Sequence, residues 1–235
     1  VPIRIAGKAL QGGRLTGKDL AGVRYGGKQV WSPGGIFLGF DDGDADDLTG
    51  YGFVHYGSDL YSAGVDNGAM RLAQPDSGPG AIGVYRDDVR YDDATATADD
   101  GYLAFRAATP GSPGSFSQSK YRTQLFARGS NGGVTHGVGV ELANSTAAIV
   151  RRVAGTDNVM TDTYTFGGGD VGRLKFVGDL WTLTINGAFA AEWDDAGSSA
   201  ASGASYRSLL ARVDAGREFN GARYFSPAID WVEYG

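Results

Sequence analysis

Cysteine is absent from this chain of 235 residues. No disulfide framework and no thiolate metal site can be built from it. Histidine occurs only as His55 and His136, in unrelated contexts. No serine sits in a Gly-x-Ser-x-Gly turn between strand and helix, so no nucleophilic triad is legible. Glutamate is confined to Glu141, Glu192, Glu218 and Glu233. No apolar run approaches the roughly 18 residues of a membrane span, and no signal-peptide core is visible. With a methionine ahead of Val1, synthesis in a cytoplasm is expected. No glycine-rich phosphate loop opens a helix, and no long helix-period segment is present.

What the chain does have is glycine, aromatics and aspartate. Its 39 glycines and seven prolines are spread along it as turn punctuation, without a Gly-X-Y period. Hydrophobic residues make up 42 %, enough for a core. The length suits one large all-β domain plus an appendage.

The appendage is marked by a repeat. Arg4-Ile5-Ala6-Gly7-Lys8-Ala9-Leu10 recurs as Arg14-Leu15-Thr16-Gly17-Lys18-Asp19-Leu20 and as Arg24-Tyr25-Gly26-Gly27-Lys28-Gln29-Val30. Such periodicity marks a repeated supersecondary unit that needs neighbours to bury its apolar positions. Each copy is expected to form a short strand or extended rung with Gly-Lys at the turn. Ile5, Leu10, Leu15, Leu20, Tyr25 and Val30 are the expected assembly positions, with further copies of the chain as the partner surface. The arm to Val30 holds six Lys/Arg against Asp19, a formal +5, so the rest carries −11 of the chain's net −6. Basic arm and acidic body can attract one another between subunits, or the lysines are simply solvated. Nucleic acid is a poor partner, because the acidic body would repel phosphate. The expected division is an arm at 1–31, a Pro-Gly linker at 32–35 and a body at 36–235.

Strand and turn signals fill the body. Residues 36–40, 51–56, 81–91, 101–106, 121–128, 137–142, 147–153 and 229–234 are strand candidates. Between Arg173 and Trp193, Trp181, Leu183 and Ile185 share one face, Asn186-Gly187 supplies a type I′ turn, and Phe189, Ala191 and Trp193 are expected to return on one face. Trp181, Trp193 and Trp231 are expected in the core. Residues 205–213 fit a helix or a strand, with strand preferred from its surroundings. The expected fold is an all-β antiparallel sandwich, a jelly roll, carrying the N-terminal β-repeat arm. An immunoglobulin module is too small, and its Cys-Trp-Cys pattern is missing.

Gly178–Gly187, with its strand and Asn-Gly turn, resembles the hairpin of concanavalin A-like, laminin G-like jelly rolls. Ser226-Pro227-Ala228-Ile229-Asp230-Trp231 resembles the ending of such domains in minor tail proteins of tailed phages infecting actinobacteria, and Gly26-Gly27-Lys28-Gln29-Val30-Trp31 is similar to a phrase near their start. The resemblance covers 36–235 loosely. It implies a virion tail-tip protein, made in the host cytoplasm and acting at the extracellular host surface. It also implies a homotrimer, docked to other tail proteins through the arm, that binds host cell-wall glycan and inserts in no membrane.

Candidate sites are few. Asp42, Asp44 and Asp46 alternate as in calcium loops, but the glycine and terminal glutamate of an EF-hand are missing. Calcium is therefore the one cofactor considered, beside a solvated acidic loop. Asp87, Asp88, Asp92 and Asp93 form a second acidic patch, expected to be solvated. Glycan binding needs an exposed aromatic with polar neighbours, and the loop candidates are Tyr56, Tyr61, Tyr91 and Asp92. Glucanases on this fold carry Glu-x-Asp-x-x-Glu or Glu-x-Asp-x-Glu on one strand, and no glutamate here has that spacing. The reading is a structural adhesion protein without catalytic residues; a polysaccharide depolymerase is the alternative.

Overall fold

The computed structural model describes residues 35–41, 43–57, 61–72, 83–112, 121–219 and 221–235, together with the backbone of six short strands ahead of them. Those six pair as three antiparallel hairpins, one per repeat: β1 (Arg4–Ile5) with β2 (Lys8–Ala9), β3 (Arg14–Leu15) with β4 (Lys18–Asp19), and β5 (Val23–Tyr25) with β6 (Lys28–Trp31). Ile5 faces Lys8, Leu15 faces Lys18 and Tyr25 faces Lys28. Two residues separate the strands of each copy, and the second is always glycine. That is hairpin chemistry. The expectation of one rung with Gly-Lys at the turn is therefore corrected: each copy makes two strands, and its lysine belongs to the second. Of the assembly positions, Ile5, Leu15 and Tyr25 end first strands and Val30 lies in β6, while Leu10 and Leu20 fall outside the described residues. So do linker residues 32–34.

The body is a sandwich of two antiparallel sheets. Its strands are β7 (Ile36–Gly39), β8 (Phe53–His55), β9 (Ala63–Asp66), β10 (Ala69–Leu72), β11 (Gly83–Tyr91), β12 (Gly101–Thr109), β13 (Arg122–Gly129), β14 (Gly137–Ala143) and β15 (Thr146–Val153). They continue with β16 (Thr156–Val159), β17 (Tyr164–Thr165), β18 (Val171–Val177), β19 (Leu180–Ile185), β20 (Ala188–Asp194), β21 (Ser208–Arg217), β22 (Arg223–Phe225) and β23 (Ala228–Tyr234). One sheet has eight strands in the order β20-β19-β18-β12-β23-β10-β9, with β7 also on β23. The other has nine, in the order β16-β15-β14-β13-β21-β11-β8, with β17 on β15 and β22 on β21. No α-helix occurs among the described residues. The ambiguous segment resolves as strand: Leu209, Ala211 and Val213 of β21 point into the core.

Period-two alternation explains which faces meet. Leu174 and Phe176 of β18, Trp181 and Leu183 of β19, and Leu103 and Phe105 of β12 face Leu125 of β13, Val140 of β14 and Ile149 of β15 in one apolar core. Each of these side chains is 0–1 % exposed. Asn186 and Gly187 take φ of 51° and 79°, the left-handed pair that a type I′ turn requires.

Two bulges overturn expectations. In β20 the register shifts between the pairs Leu183–Ala191 and Thr184–Phe189, so Ala190 is an extra residue. A bulge breaks the alternation, and Phe189 emerges 64 % exposed instead of returning with Ala191 to the core. In β23, Arg106 pairs with Trp231 while Ala107 pairs with Ile229, so Asp230 is extra. Ile229 and Val232 are buried, and Trp231, expected in the core, stacks on Phe37 with ring centroids 5.8 Å apart. Trp193 is half-buried and Trp181 fully buried.

Candidate functional site

The nine-stranded sheet carries most of its charge on the side facing away from the core. Arg86 and Asp88 come from β11, Arg212 and Asp214 from β21, Arg122 and Gln124 from β13, Glu141 from β14, Arg152 from β15 and Asp157 from β16. Their neighbours in sequence, such as Leu125, Val140 and Val213, face the core, so alternation dictates the placement.

These groups form one network centred on Arg152. Its Nη1 donates to Asp88 Oδ1 at 2.6 Å, its Nε to Asp157 Oδ1 at 2.6 Å, and its Nη2 to Gln124 Oε1 at 3.2 Å. Arg212 bonds Asp157 and reaches Asp214 at 3.3 Å; Arg86 reaches Asp214 from the other side at 3.2 Å. Gln124 Nε2 donates to Glu141 Oε2 at 2.9 Å, and Arg122 Nη1 lies 3.3 Å from the same oxygen. Arg152 and Asp88 stand on β15 and β11, with three strands between them in the sheet. Their direct contact requires the sheet to curl into a trough, with this face as its floor.

One end of the trough is filled. Phe126, Val150 and Leu210 form a second apolar cluster on this face, each 0 % exposed, with Val134 packed against them. The Arg152 guanidinium lies 4.4 Å above the Phe126 ring. Such stacking suits a planar cation that must be desolvated.

Burial sets the electrostatics. It pushes Asp214 from the ordinary 3.8 up to about 6, against the pull of Arg86. It also raises Asp88, against Arg152. For Arg152 burial alone would lower the pKa, but the bond to Asp157 and the charge of Asp88 outweigh it and the value rises. The guanidinium is thus held charged.

Beyond the filled end lies a cavity of about 240 Å³. Its floor is Ala143 and Ala148, small side chains that leave a hollow between Arg122, Glu141 and Thr146. Val159 and Thr163 close it on the side of β16, and the same two residues line a larger groove of about 690 Å³. That groove runs between Val159–Thr163 and the edge strand β20, with Phe189 and Glu192 on its far wall. Cavity and groove are neighbours across the Val159–Thr163 rim.

The residues picked from sequence lie elsewhere. Tyr56 is 41 % exposed, beneath the Arg90 guanidinium at 5.7 Å. Asp92 is ion-paired to Arg90 at 2.7 Å. Tyr91 is half-buried against Phe53, and burial raises its pKa. Tyr61, picked as a loop platform, is only 8 % exposed and packs edge-on against Tyr85, so it is a core ring. Asp87 and Asp88 are corrected too, since neither is solvated. Asp87 is 1 % exposed, pairs with His55 Nδ1 and accepts the Gly57 and Ala63 amides. Asp42 lies outside the described residues. Asp44 is exposed and accepts the Asn67 amide, and Asp46 is exposed. Among the described residues no three His, Asp or Glu side chains converge as a metal site.

No protein-family model matches the chain, and no curated protein sequence matches it. Solved structures do. A β-1,3-1,4-glucanase (lichenase) from a mouse hindgut metagenome aligns over 85 % of this chain and 98 % of its own, with TM-score 0.56 and 11 % identity. The endo-β-1,3(4)-glucanase SCLam of family GH16 aligns over 87 % and 89 %, with TM-score 0.53 and 12 % identity. Peanut lectin aligns over 85 % and 96 %, with TM-score 0.50 and 10 % identity. At such identities the likeness shows the fold: a concanavalin-like, lectin-like jelly-roll sandwich.

The expectation of no enzyme does not stand. It rested on the missing single-strand glutamate pattern and the missing nucleophilic triad, yet structures of this fold include glucanases. Here Asp88, Glu141, Asp157 and Asp214 stand on the outer face of one sheet, on four strands and each beside an arginine, a placement that linear spacing cannot register. The fold serves glycoside hydrolases and a lectin alike, and leaves enzymatic status open.

Proposed function

We propose that this chain is an adhesion component of a phage tail tip that binds host envelope glycan on the trough face of its nine-stranded sheet. The observation that carries the glycan reading is the cavity over Ala143 and Ala148, walled by Arg122 and Glu141. Arg122 supplies donors and Glu141 acceptors, the complement of sugar hydroxyls. Both are held before any ligand arrives, through Gln124 and Arg152. Ligand binding to such a pre-formed site loses little conformational entropy.

The tail reading rests on the arm. Three basic hairpins in tandem suit a mount that packs against other chains, and the body has its own core without them. Deleting residues 1–31 is expected to leave a folded monomer where the full chain sediments as a trimer. An unchanged oligomer would remove the arm's assembly role.

The glycan reading is tested by binding of the purified chain to host cell-wall polysaccharide. Arg122→Ala and Glu141→Gln should each weaken binding about tenfold or more while circular dichroism shows the β-sandwich retained. Absence of binding to any envelope fraction overturns it. Hydrolysis is the second reading, favoured by the gathered carboxylates. Release of reducing ends from the same polysaccharide, lost in Glu141→Gln, would establish it.

A further inference from the structure

We infer that the site takes the free non-reducing end of a neutral glycan chain: the terminal ring enters the Arg122–Glu141 cavity, and the following rings leave over the Val159–Thr163 rim past Phe189. The inference rests on the glycan reading above and adds ligand class and direction.

Three observations support it. First, the trough is closed beyond the cavity on the side of Gln124. Behind the cavity Gln124 is bonded to both Glu141 and Arg152, and behind Gln124 the face is filled by Phe126, Val150 and Leu210. Val150 pairs directly with Val159 of the cavity wall, so the filling begins where the cavity ends. A polymer cannot thread through apolar side chains that are 0 % exposed.

Second, the sizes differ in a useful way. Sites for drug-sized ligands measure roughly 300–1,000 Å³. The cavity, at about 240 Å³, falls below that range and suits one ring. The groove beyond the rim, at about 690 Å³, lies inside it and suits several. Phe189 gives that groove an exposed aromatic face, put there by the extra residue Ala190. Sugar rings present C–H faces that stack on aromatics, while Glu192 and Asp162 on the groove walls can accept hydroxyls.

Third, the charges in the cavity cancel. Glu141 is met by Arg122 and by the Gln124 amide. An acidic sugar would face Glu141 and compete with it for Arg122. A neutral ring can accept from Arg122 and donate to Glu141 without separating them.

The test is an array of neutral gluco-, galacto-, manno- and rhamno-oligosaccharides of one to six rings. Each is presented with its non-reducing end free, with that end blocked by a benzylidene acetal, and with a terminal uronic acid. Intact host-wall polysaccharide is run beside them. In the series that binds, blocking or acidifying the end should cost about tenfold or more, and the one-ring methyl glycoside should compete with longer members. Ala148→Trp, which fills the cavity, should abolish binding at every length. Phe189→Ala, at an exposed position, should spare the methyl glycoside and remove the gain with length. If Ala148→Trp fails to fold by circular dichroism, the end-blocking comparison and Phe189→Ala decide alone. Equal binding of free and blocked chains, or a methyl glycoside that never competes, overturns end recognition and leaves glycan binding standing. No binding to the array or to the wall polysaccharide overturns both.

Discussion

Arg152→Met isolates the centre of the trough. Methionine keeps an unbranched stem over Phe126 and removes the charge. Asp157 retains Arg212, but Asp88 loses its 2.6 Å partner while only 18 % exposed. Surface ion pairs are worth about 0–1 kcal/mol, whereas removing one side of a buried pair costs about 3–5 kcal/mol. Arg152 itself is 2 % exposed at its side chain, so the larger figure applies. A domain of this size has roughly 5–15 kcal/mol of stability in total. At about 2–4 °C per kcal/mol, the melting temperature should fall by roughly 6–20 °C. Adding Asp88→Asn removes the stranded charge and should recover about half of that loss. The gap from wild type should also narrow on acidification, because protonation neutralises Asp88. Calorimetry of wild type, single and double variants between pH 5 and 8 reads all three effects. A loss under about 2 °C, or a double variant no better than the single, would refute the buried-network argument.

Asp214→Asn probes the other raised carboxylate. With a folded pKa of about 6 against 3.8, Asp214 favours the native state most when protonated. Its contribution is full below pH 3.8 and is lost as pH rises to about 6, a change of about 3 kcal/mol at about 1.4 kcal/mol per pH unit. Wild type should therefore lose stability relative to Asp214→Asn between pH 4 and 6, as read by urea denaturation; a pH-independent difference would contradict this. Gly216→Ala places a methyl in the ring of Tyr121, which is 1 % exposed and stacked on Tyr224 at 5.9 Å. Overpacking there should cost about 1–3 kcal/mol in the same assay, and an unchanged midpoint would count against the close approach. Asp87→Ala leaves the Gly57 and Ala63 amides without their acceptor, at about 1–3 kcal/mol each. Their exchange with solvent deuterium should quicken before that of β13, and retained protection at Gly57 and Ala63 would refute the assignment.

The fold was legible wherever alternation ran unbroken. Trp181, Leu183 and Ile185 before Asn186-Gly187 announced β19 and its turn, because period and turn chemistry agree there. The bulges at Ala190 and Asp230 were not legible, since one extra residue changes the face without changing composition. They account for the misplacing of Phe189 and Trp231. The site was less legible still. Arg122, Gln124, Glu141, Arg152 and Asp157 lie on four strands, and only the curl of the sheet joins them. A partial signal exists in Ala211-Arg212-Val213-Asp214, where charges alternate with core residues and mark the outer face of β21, but the same alternation describes a face open to water and does not show that this one is covered. Tyr61 is not legible as a core ring, because its glycine-rich neighbourhood looks like a loop even when the ring turns inward.

The position of β23 has a consequence for synthesis. It pairs with β12 on one side and with β7 and β10 on the other, yet it is the last strand made of all those described. The eight-stranded sheet therefore stays in three pieces, β20-β19-β18-β12, β10-β9 and β7, until the ribosome has delivered Ala228–Tyr234. The arm hairpins close within a few residues of their own sequence and can form in microseconds. A nascent chain thus carries arm hairpins able to close early, though each is marginal alone, on an open sandwich whose exposed apolar faces invite association before they are sealed. If the arm gathers chains, it can do so while their bodies are still unfolded, and the final strand then completes each sandwich inside an assembly already begun.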